Sequence, residues 1–302
     1  MSPPPAVRLG GRLAVRPGER LGELGGGGEY PGTMPPAHAE PDPHAPDPHA
    51  PAPTEPESRG PDGSERRFRD QPVSFVRRSG RMSEAQERAW TDLAPFYVLD
   101  VPRDIASTSV HPAARLIPAE VYGRTAPLVV EVGSGQGHAI VSAAQARPDH
   151  DFLAVEVFRA GLARTMLDAE RAGVRNLRLV EANAPEVLET LLPEGAADEV
   201  WVFFPDPWHK KRHTKRRLVR PGFGATGARA LRDGGALRLA TDWEDYALQM
   251  REVLDEAPEF DRAFAGEWAP RFDGRVMTAF ERKGLAKGRD IRDLAYRRIG
   301  RG

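Results

Sequence analysis

The sequence predicts an α/β fold, a parallel sheet with helices on both faces, behind a disordered leader rich in Pro and Gly. Three observations predict it. From about residue 120, short β-branched runs alternate with helical stretches, the pattern of successive βαβ units. A glycine loop at 133–137 follows the first run, where a tight strand-to-helix turn is needed. Residues 1–65 are instead rich in Pro, Gly and Ala, with Gly25–Gly28 and a tandem Pro-Asp-Pro-His-Ala at 41–45 and 46–50. Such a segment buries too little apolar surface to offset its ordering entropy.

The elements follow in order. Residues 66–120 form a lead-in with a basic patch, Arg66, Arg67, Arg69, Arg77, Arg78 and Arg81, and the folded domain spans 121–302. Leu128–Val132 reads as a strand followed by a helix to about Arg147. Phe152–Val157 leads into a helix to about Ala172, and Leu177–Val180 into one to Leu192. Val200–Phe204 is followed by a helix to about Arg232, which Gly234-Gly235 stops. Ala236–Ala240 is the fifth strand, and Thr241-Asp242 caps a helix from Glu244 to Ala257. Periodicity weakens beyond that point, and Asp293–Ile299 reads as an edge strand.

Composition excludes several chemistries. The 302 residues suit one or two domains and include no cysteine, so disulfides, thiolate nucleophiles and cysteine metal sites are ruled out. No apolar run approaches the ~20 residues of a membrane span. Met1-Ser2-Pro3-Pro4-Pro5 lacks the apolar stretch of a signal peptide, so a cytoplasmic location is expected. The net charge of −1 hides an asymmetry: residues 1–65 carry five Arg against ten acids, leaving the remainder mildly basic. Clustered positive charge suits a polyanionic partner. His44 and His49 belong to the low-complexity repeat and read as part of it rather than as a metal site.

The loop after the first strand is Glu131-Val132-Gly133-Ser134-Gly135-Gln136-Gly137. Its spacing is G-x-G-x-G, not the G-x-G-x-x-G of a dinucleotide site, and a carboxylate beside a pyrophosphate is unfavourable. Glu131 suits an amine-bearing or cationic ligand. S-adenosylmethionine, with an ammonium, a sulfonium and no phosphate, meets that description, and Gly133 and Gly135 let the backbone approach it. A nicotinamide cofactor is the alternative that the spacing disfavours. Glu156 ends the second strand, where an acid hydrogen-bonds a ribose diol of either cofactor. A solvated loop acid is its plainer reading. Asn183 follows the third strand, where an amide reads an adenine edge, caps the next helix, or does both.

The fourth strand runs into Pro205-Asp206-Pro207-Trp208-His209-Lys210. This places a carboxylate and an aromatic face at the carboxyl edge of the sheet, where open α/β sheets bind ligands. Trp208 stacks on an extruded base or packs under the turn. Lys210, Lys211, Arg212, Lys215, Arg216 and Arg217 follow, with no acid among residues 209–217. Like charges so crowded destabilise unless a polyanion offsets them, so this run is expected to bind phosphates. His209 and His213 have the i, i+4 spacing of a metal pair, but the surrounding cations disfavour a metal and none is expected.

Together these motifs resemble the bacterial tRNA (guanine-N7-)-methyltransferase family. The resemblance rests on the Glu-x-Gly-x-Gly-x-Gly loop, Glu156-Val157, and Phe203-Phe204-Pro205-Asp206-Pro207-Trp208-His209-Lys210-Lys211-Arg212-His213-x-Lys215-Arg216-Arg217. It extends to Thr241-Asp242-Trp243, to Thr278-Ala279-Phe280-Glu281-Arg282-Lys283-Gly284 and to Ser-Phe-Val-Arg-Arg-x-x-Arg at Ser74–Arg81. It covers about residues 70–300 and leaves the leader outside.

The resemblance implies a Rossmann-like class I methyltransferase sheet, S-adenosylmethionine as donor and a variable-loop guanine of tRNA as acceptor. The implied donor contacts are Glu131, Glu156, Asn183 and Asp206. The implied substrate contacts are Lys210, Asp242, Thr278 and Glu281. Many members carry Asp where this chain has Asn183; an amide still accepts at oxygen and donates at nitrogen. Guanine N7 has a lone pair and no proton, so no general base is needed. A carboxylate near the ring stabilises its developing positive charge, with Asp206 the first candidate and Asp242 the second. Arg271, Arg275, Arg282, Lys283, Lys287 and Arg289 are candidates to extend the tRNA footprint. Monomer and homodimer are both compatible with the sequence. The competing readings are another base methyltransferase, such as one acting on an exocyclic amine, a nicotinamide-dependent oxidoreductase, and a non-catalytic RNA-binding module.

Overall fold

The structure, a computed structural model, describes residues 7–9 and 82–301. The rest of the Pro/Gly-rich leader and the basic patch Arg66–Arg81 lie outside the described residues. Within the leader, Val7 is buried and β1 (Arg8–Leu9) pairs with a later strand, so these few residues depart from the expected disorder.

Helix α1 (Glu84–Tyr97) opens on a capping box: the Gln86 N–H donates to Ser83 Oγ and the Ser83 N–H to Gln86 Oε1. β2 (Leu99–Asp100) pairs antiparallel with β1, and α2 (Pro118–Tyr122) leads to the main sheet. There β3 (Leu128–Val132), β4 (Asp151–Glu156), β5 (Leu177–Glu181), β6 (Ala197–Phe203) and β7 (Leu231–Thr241) run parallel. All five residues of β3 are buried, as expected for a central parallel strand covered on both faces. Leu128, Val130 and Val132 join one core with Leu153, Val155, Val200 and Val202. Val129 joins the opposite core with Phe152, Ala154, Trp201 and Phe203.

The connecting helices are α3 (His138–Ala146), α4 (Arg159–Arg171), α5 (Ala184–Glu186) with a π-helical turn at Val187–Leu191, and α6 (Phe223–Ala230). α7 (Glu244–Asp255), β8 (Phe260–Arg262), α8 (Ala279–Leu285) and β9 (Arg292–Arg298) complete the chain. The order of the seven-stranded sheet is β5-β4-β3-β6-β7-β9-β8.

Four expectations are corrected. β9 is not an edge strand: it lies between β7 and the three-residue β8, antiparallel to both. The long helix expected after the fourth strand is only a 3₁₀ turn at Lys211–Arg216 and then α6, because Pro205, Pro207 and Pro221 lack the N–H that a continuous helix needs. Gly234-Gly235 does not stop α6, which has already ended at Ala230. The pair sits in a bulge of β7, where the register against β6 shifts and Gly234 takes φ +70°. Thr241-Asp242 does not cap α7 either. Trp243 is the N-cap residue, and Thr241 Oγ1 accepts from the Trp243 N–H at 3.2 Å.

Candidate active site

The parallel strands all release their chains at one edge of the sheet, and the candidate residues gather there. The loop after β3 turns back at once: Gly133 N–H donates to Val155 O at 2.8 Å. Gly135 has φ +58°, and its carbonyl lies 2.4 Å from where a Cβ on Gly161 of α4 would stand. Helix and loop thus touch backbone to backbone, a contact only glycine at 161 permits. The Gly135 N–H donates to Glu156 Oε2 at 2.8 Å, and Val157 and Phe158 donate to Oε1 at 2.6 and 2.9 Å. Burial still raises the Glu156 carboxyl above its ordinary value, and the charge of Asp206 adds to the rise.

Glu131, near the end of β3, is buried at 4% exposure. Burial pushes its carboxyl up to about 8; the Ile140 N–H opposes the rise and the Glu156 charge adds to it. Its Oε2 is fully buried with no partner. A buried carboxylate oxygen without a donor is costly, and a cationic ligand would relieve that cost.

Asn183 is buried beyond β5. It is the N-cap residue of α5 but makes no side-chain cap bond. Its N–H donates to Thr108 O at 2.8 Å and its Nδ2 to Glu186 Oε1 at 3.1 Å. Glu186 Oε2 accepts in turn from Val110 N at 2.6 Å, and Arg103 Nη1 donates to Glu181 O and Ser109 O. The 103–110 loop is therefore held over the end of β5. Its tie to Asn183 is not legible from sequence.

The turn after β6 is strained. Phe204 makes the last sheet bond, to Ala240 O at 2.7 Å, yet has φ +51°; Trp208 has φ +43°. Non-glycine residues in this region cost energy and cluster at functional sites. Between them stands Asp206. Its side chain reaches solvent, but desolvation by its surroundings raises its carboxyl. Trp208 is partly exposed, with Arg216 Cζ 5.2 Å over its ring and His213 perpendicular to it, the ring centroids 5.8 Å apart.

Lys210, Lys211, Arg212, Lys215 and Arg216 are exposed along the 3₁₀ turn. His213 among them is held below its ordinary pKa by desolvation first and then by the charges of Arg216, Arg212, Lys210 and His209. Arg217 is the correction: it is buried at 3% exposure, donating to Pro207 O, Gln249 Oε1 and Asp245 Oδ2. It faces the protein rather than a phosphate, because α7 offers it a carboxylate and an amide inside the fold.

The expected substrate contacts are partly engaged with one another. Thr278 Oγ1 accepts from Glu281 N at 3.1 Å and so caps α8. Glu281 is buried, with Arg271 at 3.1 Å and Arg275 Nη1 at 2.7 Å from its carboxylate. Arg275 is fully buried, bonded also to Asp293 at 2.8 Å and lying over the rings of Phe203 and Phe204. That burial removes Arg275 from any tRNA footprint. Arg289 pairs with Asp242 at 2.8 Å, whereas Arg282, Lys283 and Lys287 are exposed. Among the described residues, no group of three or more His, Asp or Glu is placed to hold a metal ion.

A family model described as "Putative methyltransferase" matches residues 125–294, from just before β3 into β9. The chain is 45% identical over 275 residues to the tRNA (guanine-N(7)-)-methyltransferase of Paenarthrobacter aurescens (strain TC1), covering 75% of this chain and 91% of that one. It is 47% identical over 244 residues to the enzyme of that name from Cutibacterium acnes, covering 80% and 88%. Against that of Methylococcus capsulatus it is 43% identical over 226 residues, covering 74% and 93%. The chain belongs to the tRNA (guanine-N7-)-methyltransferase family. Its mixed seven-stranded sheet with helices on both faces is the class I methyltransferase fold. The acids at the ends of β3 and β4 and the strained turn after β6 lie together at the carboxyl edge of the sheet. No helix among the described residues is long and apolar enough to cross a membrane.

Proposed function

We propose that this enzyme methylates a variable-loop guanine of tRNA, with Asp206 beside the reacting atoms. The reaction is transfer of a methyl group from S-adenosylmethionine to N7 of a guanine in tRNA. The observation that carries the assignment of Asp206 is the strained turn itself. Left-handed Phe204 and Trp208 bracket Asp206 between the donor-side acid Glu156, whose carboxyl feels its charge, and the exposed cations from Lys210 to Arg216.

The residues present fit the donor. Glu131, with its buried unpartnered oxygen, would hold the ammonium. Glu156 would hold the ribose diol, Asn183 the adenine edge, and the backbone at Gly133 and Gly135 would lie against the bound molecule. When bound, S-adenosylmethionine supplies a sulfonium methyl, which the N7 lone pair takes as the carbon–sulfur bond breaks and a neutral thioether leaves. Positive charge then moves onto the guanine ring. Asp206 stabilises that charge, and the rigid turn aligns it. Asp242 accepts from the guanine N1–H and N2–H edge, Lys210 draws in the nearest phosphate, and Thr278 and Glu281 shape the pocket wall. Lys211, Arg212, Lys215 and Arg216 hold phosphates further along the tRNA. A cytoplasmic location accords with a tRNA substrate, and the proposed site, built from one chain, serves a monomer or a homodimer equally.

The test is methyl transfer from labelled S-adenosylmethionine to an unmodified tRNA transcript, mapped by borohydride reduction and aniline cleavage. Cleavage at one variable-loop guanine supports the proposal. Cleavage at a guanine elsewhere keeps the chemistry and removes the proposed position.

A further inference from the structure

We infer that Trp243 and Asp242 form the slot that receives the target guanine, and that the Arg289 side chain fills this slot as a mimic of the base until tRNA arrives. The inference rests on the reading of Asp242 as a guanine contact.

Arg289 Nη1 donates to Asp242 Oδ2 at 2.8 Å, and its Cζ lies 4.6 Å over the Trp243 ring. A planar N–C–N group thus lies over an aromatic face with one of its N–H groups on a carboxylate oxygen. The N1–H and N2–H edge of guanine is the same planar N–C–N unit with parallel donors. Cytosine and adenine present an acceptor where guanine has N1–H, and uracil has a single donor between two carbonyls. A tryptophan face with a carboxylate at its edge therefore selects guanine among the four bases.

The surroundings place the slot at the reacting centre. Trp243 leaves β7 three residues after Ala240, whose carbonyl accepts from Phe204 N at 2.7 Å. Its ring lies 5.7 Å from that of His209, three residues past Asp206. One side of Asp242 is closed by the backbone of α8: a Cβ on Gly284 would stand 2.9 Å from Asp242 Cβ and Oδ2. Gly284 O also accepts from the Arg289 N–H at 3.1 Å. The Arg289 side chain is 35% exposed and that of Asp242 20%. Both side chains are in part exposed, so an incoming base reaches the pair. The exchange also suits the chemistry: the methylated ring is cationic, so a site that holds a guanidinium favours the charge formed during transfer. Once displaced, Arg289 is free to meet a phosphate of the incoming strand.

The test uses the full chain at saturating S-adenosylmethionine, with tRNA transcript as substrate and guanosine, which has no phosphate, as competitor. Arg289→Ala opens the slot, and guanosine should then inhibit at several-fold lower concentration, while cytidine inhibits neither form. Trp243→Leu should raise the KM for tRNA by about tenfold, the scale of one lost base–aromatic stack, and leave donor affinity unchanged. Trp243→Phe should restore most of the loss. Guanosine inhibiting Arg289→Ala no better than the native enzyme, or inhibiting neither, overturns the mimicry. An unchanged KM in Trp243→Leu overturns the slot. Asp242→Asn separates the two levels: a raised KM there, with silent changes at 243 and 289, sinks only the slot, whereas an unchanged KM removes Asp242 as a guanine contact as well.

Discussion

Arg217 Nε donates to the carbonyl of Pro207 at 2.7 Å, one residue past Asp206. The same guanidinium reaches Gln249 Oε1 at 2.7 Å and Asp245 Oδ2 at 2.6 Å on successive turns of α7, and lies 4.7 Å over the Tyr246 ring. A turn strained at Phe204 and Trp208 relaxes unless it is held, and this fork of donors ties it to a helix. Arg217 is thus a positioning residue for Asp206. A lysine offers one compact charge in place of the fork. Arg217→Lys should lower kcat at least tenfold and change the KM for tRNA little, and Arg217→Ala should in addition lose about 2–3 kcal/mol of stability. Steady-state kinetics and urea denaturation check both. A loss confined to tRNA affinity would return Arg217 to the phosphate-binding strip.

The exposed cations behave differently. Each phosphate neutralised by Lys211, Arg212, Lys215 or Arg216 releases counterions, so tRNA affinity should fall linearly on a log–log plot against salt. Lys211→Gln and Lys215→Gln should each reduce the slope by about 1. Filter binding between low and physiological salt measures it, and a flat response would contradict a phosphate role for the strip.

Glu131 gives a pH signature. Its folded pKa of about 8 stands above the unfolded value of 4.5, so the donor-free fold binds a proton that the unfolded chain has lost. Relative to Glu131→Gln, which does not titrate, the native protein should lose stability as pH rises from about 4.5 to 8 and level off above. Binding of an ammonium favours the carboxylate, so donor binding at pH 7 should release a proton. Calorimetry in buffers of different ionisation enthalpy detects that release, and Glu131→Gln should abolish it. Equal proton release by both proteins would place the ammonium elsewhere.

The buried Arg275 joins Glu281 of α8 to Asp293 of β9. Arg275→Met strands the buried Asp293, leaves Glu281 with Arg271 alone, and should cost about 3–5 kcal/mol. Burial already raises Asp293 against the pull of Arg275. Without that arginine the folded pKa rises further above the unfolded one, so the variant's extra instability should grow as pH rises above the ordinary Asp range. Denaturation at pH 5 and pH 8 tests this, and a pH-independent loss would mean that Asp293 carries the same charge in both folded proteins across that range.

The local signals in the sequence carry further than the long-range ones. Leu128–Val132 and the glycine loop are legible because a buried parallel strand is an unbroken apolar run and its turn needs glycine. The turn at Pro205–Trp208 is legible because two prolines fix a carboxylate between them. Arg217 is not separable from its exposed neighbours by pattern: its partners Asp245 and Gln249 stand 28 and 32 residues further on. β9 reads as an edge strand because the three residues of β8 that cover it carry no periodic signal. Trp243 and Arg289 are joined only by the fold, across the whole of α7, β8 and α8. The glycine pair at 234–235 is ambiguous on its face, since a bulge and a helix stop require the same left-handed residue.

The most direct test of the account is the single-turnover rate of Asp206→Asn, measured with donor and tRNA both saturating and with their affinities determined separately. The substitution keeps the shape of the turn and removes the charge. The transfer rate should fall at least a hundredfold, the scale of one lost electrostatic stabiliser, with tRNA affinity within about twofold of native. A native rate in a folded Asp206→Asn enzyme would remove this carboxylate from the reaction.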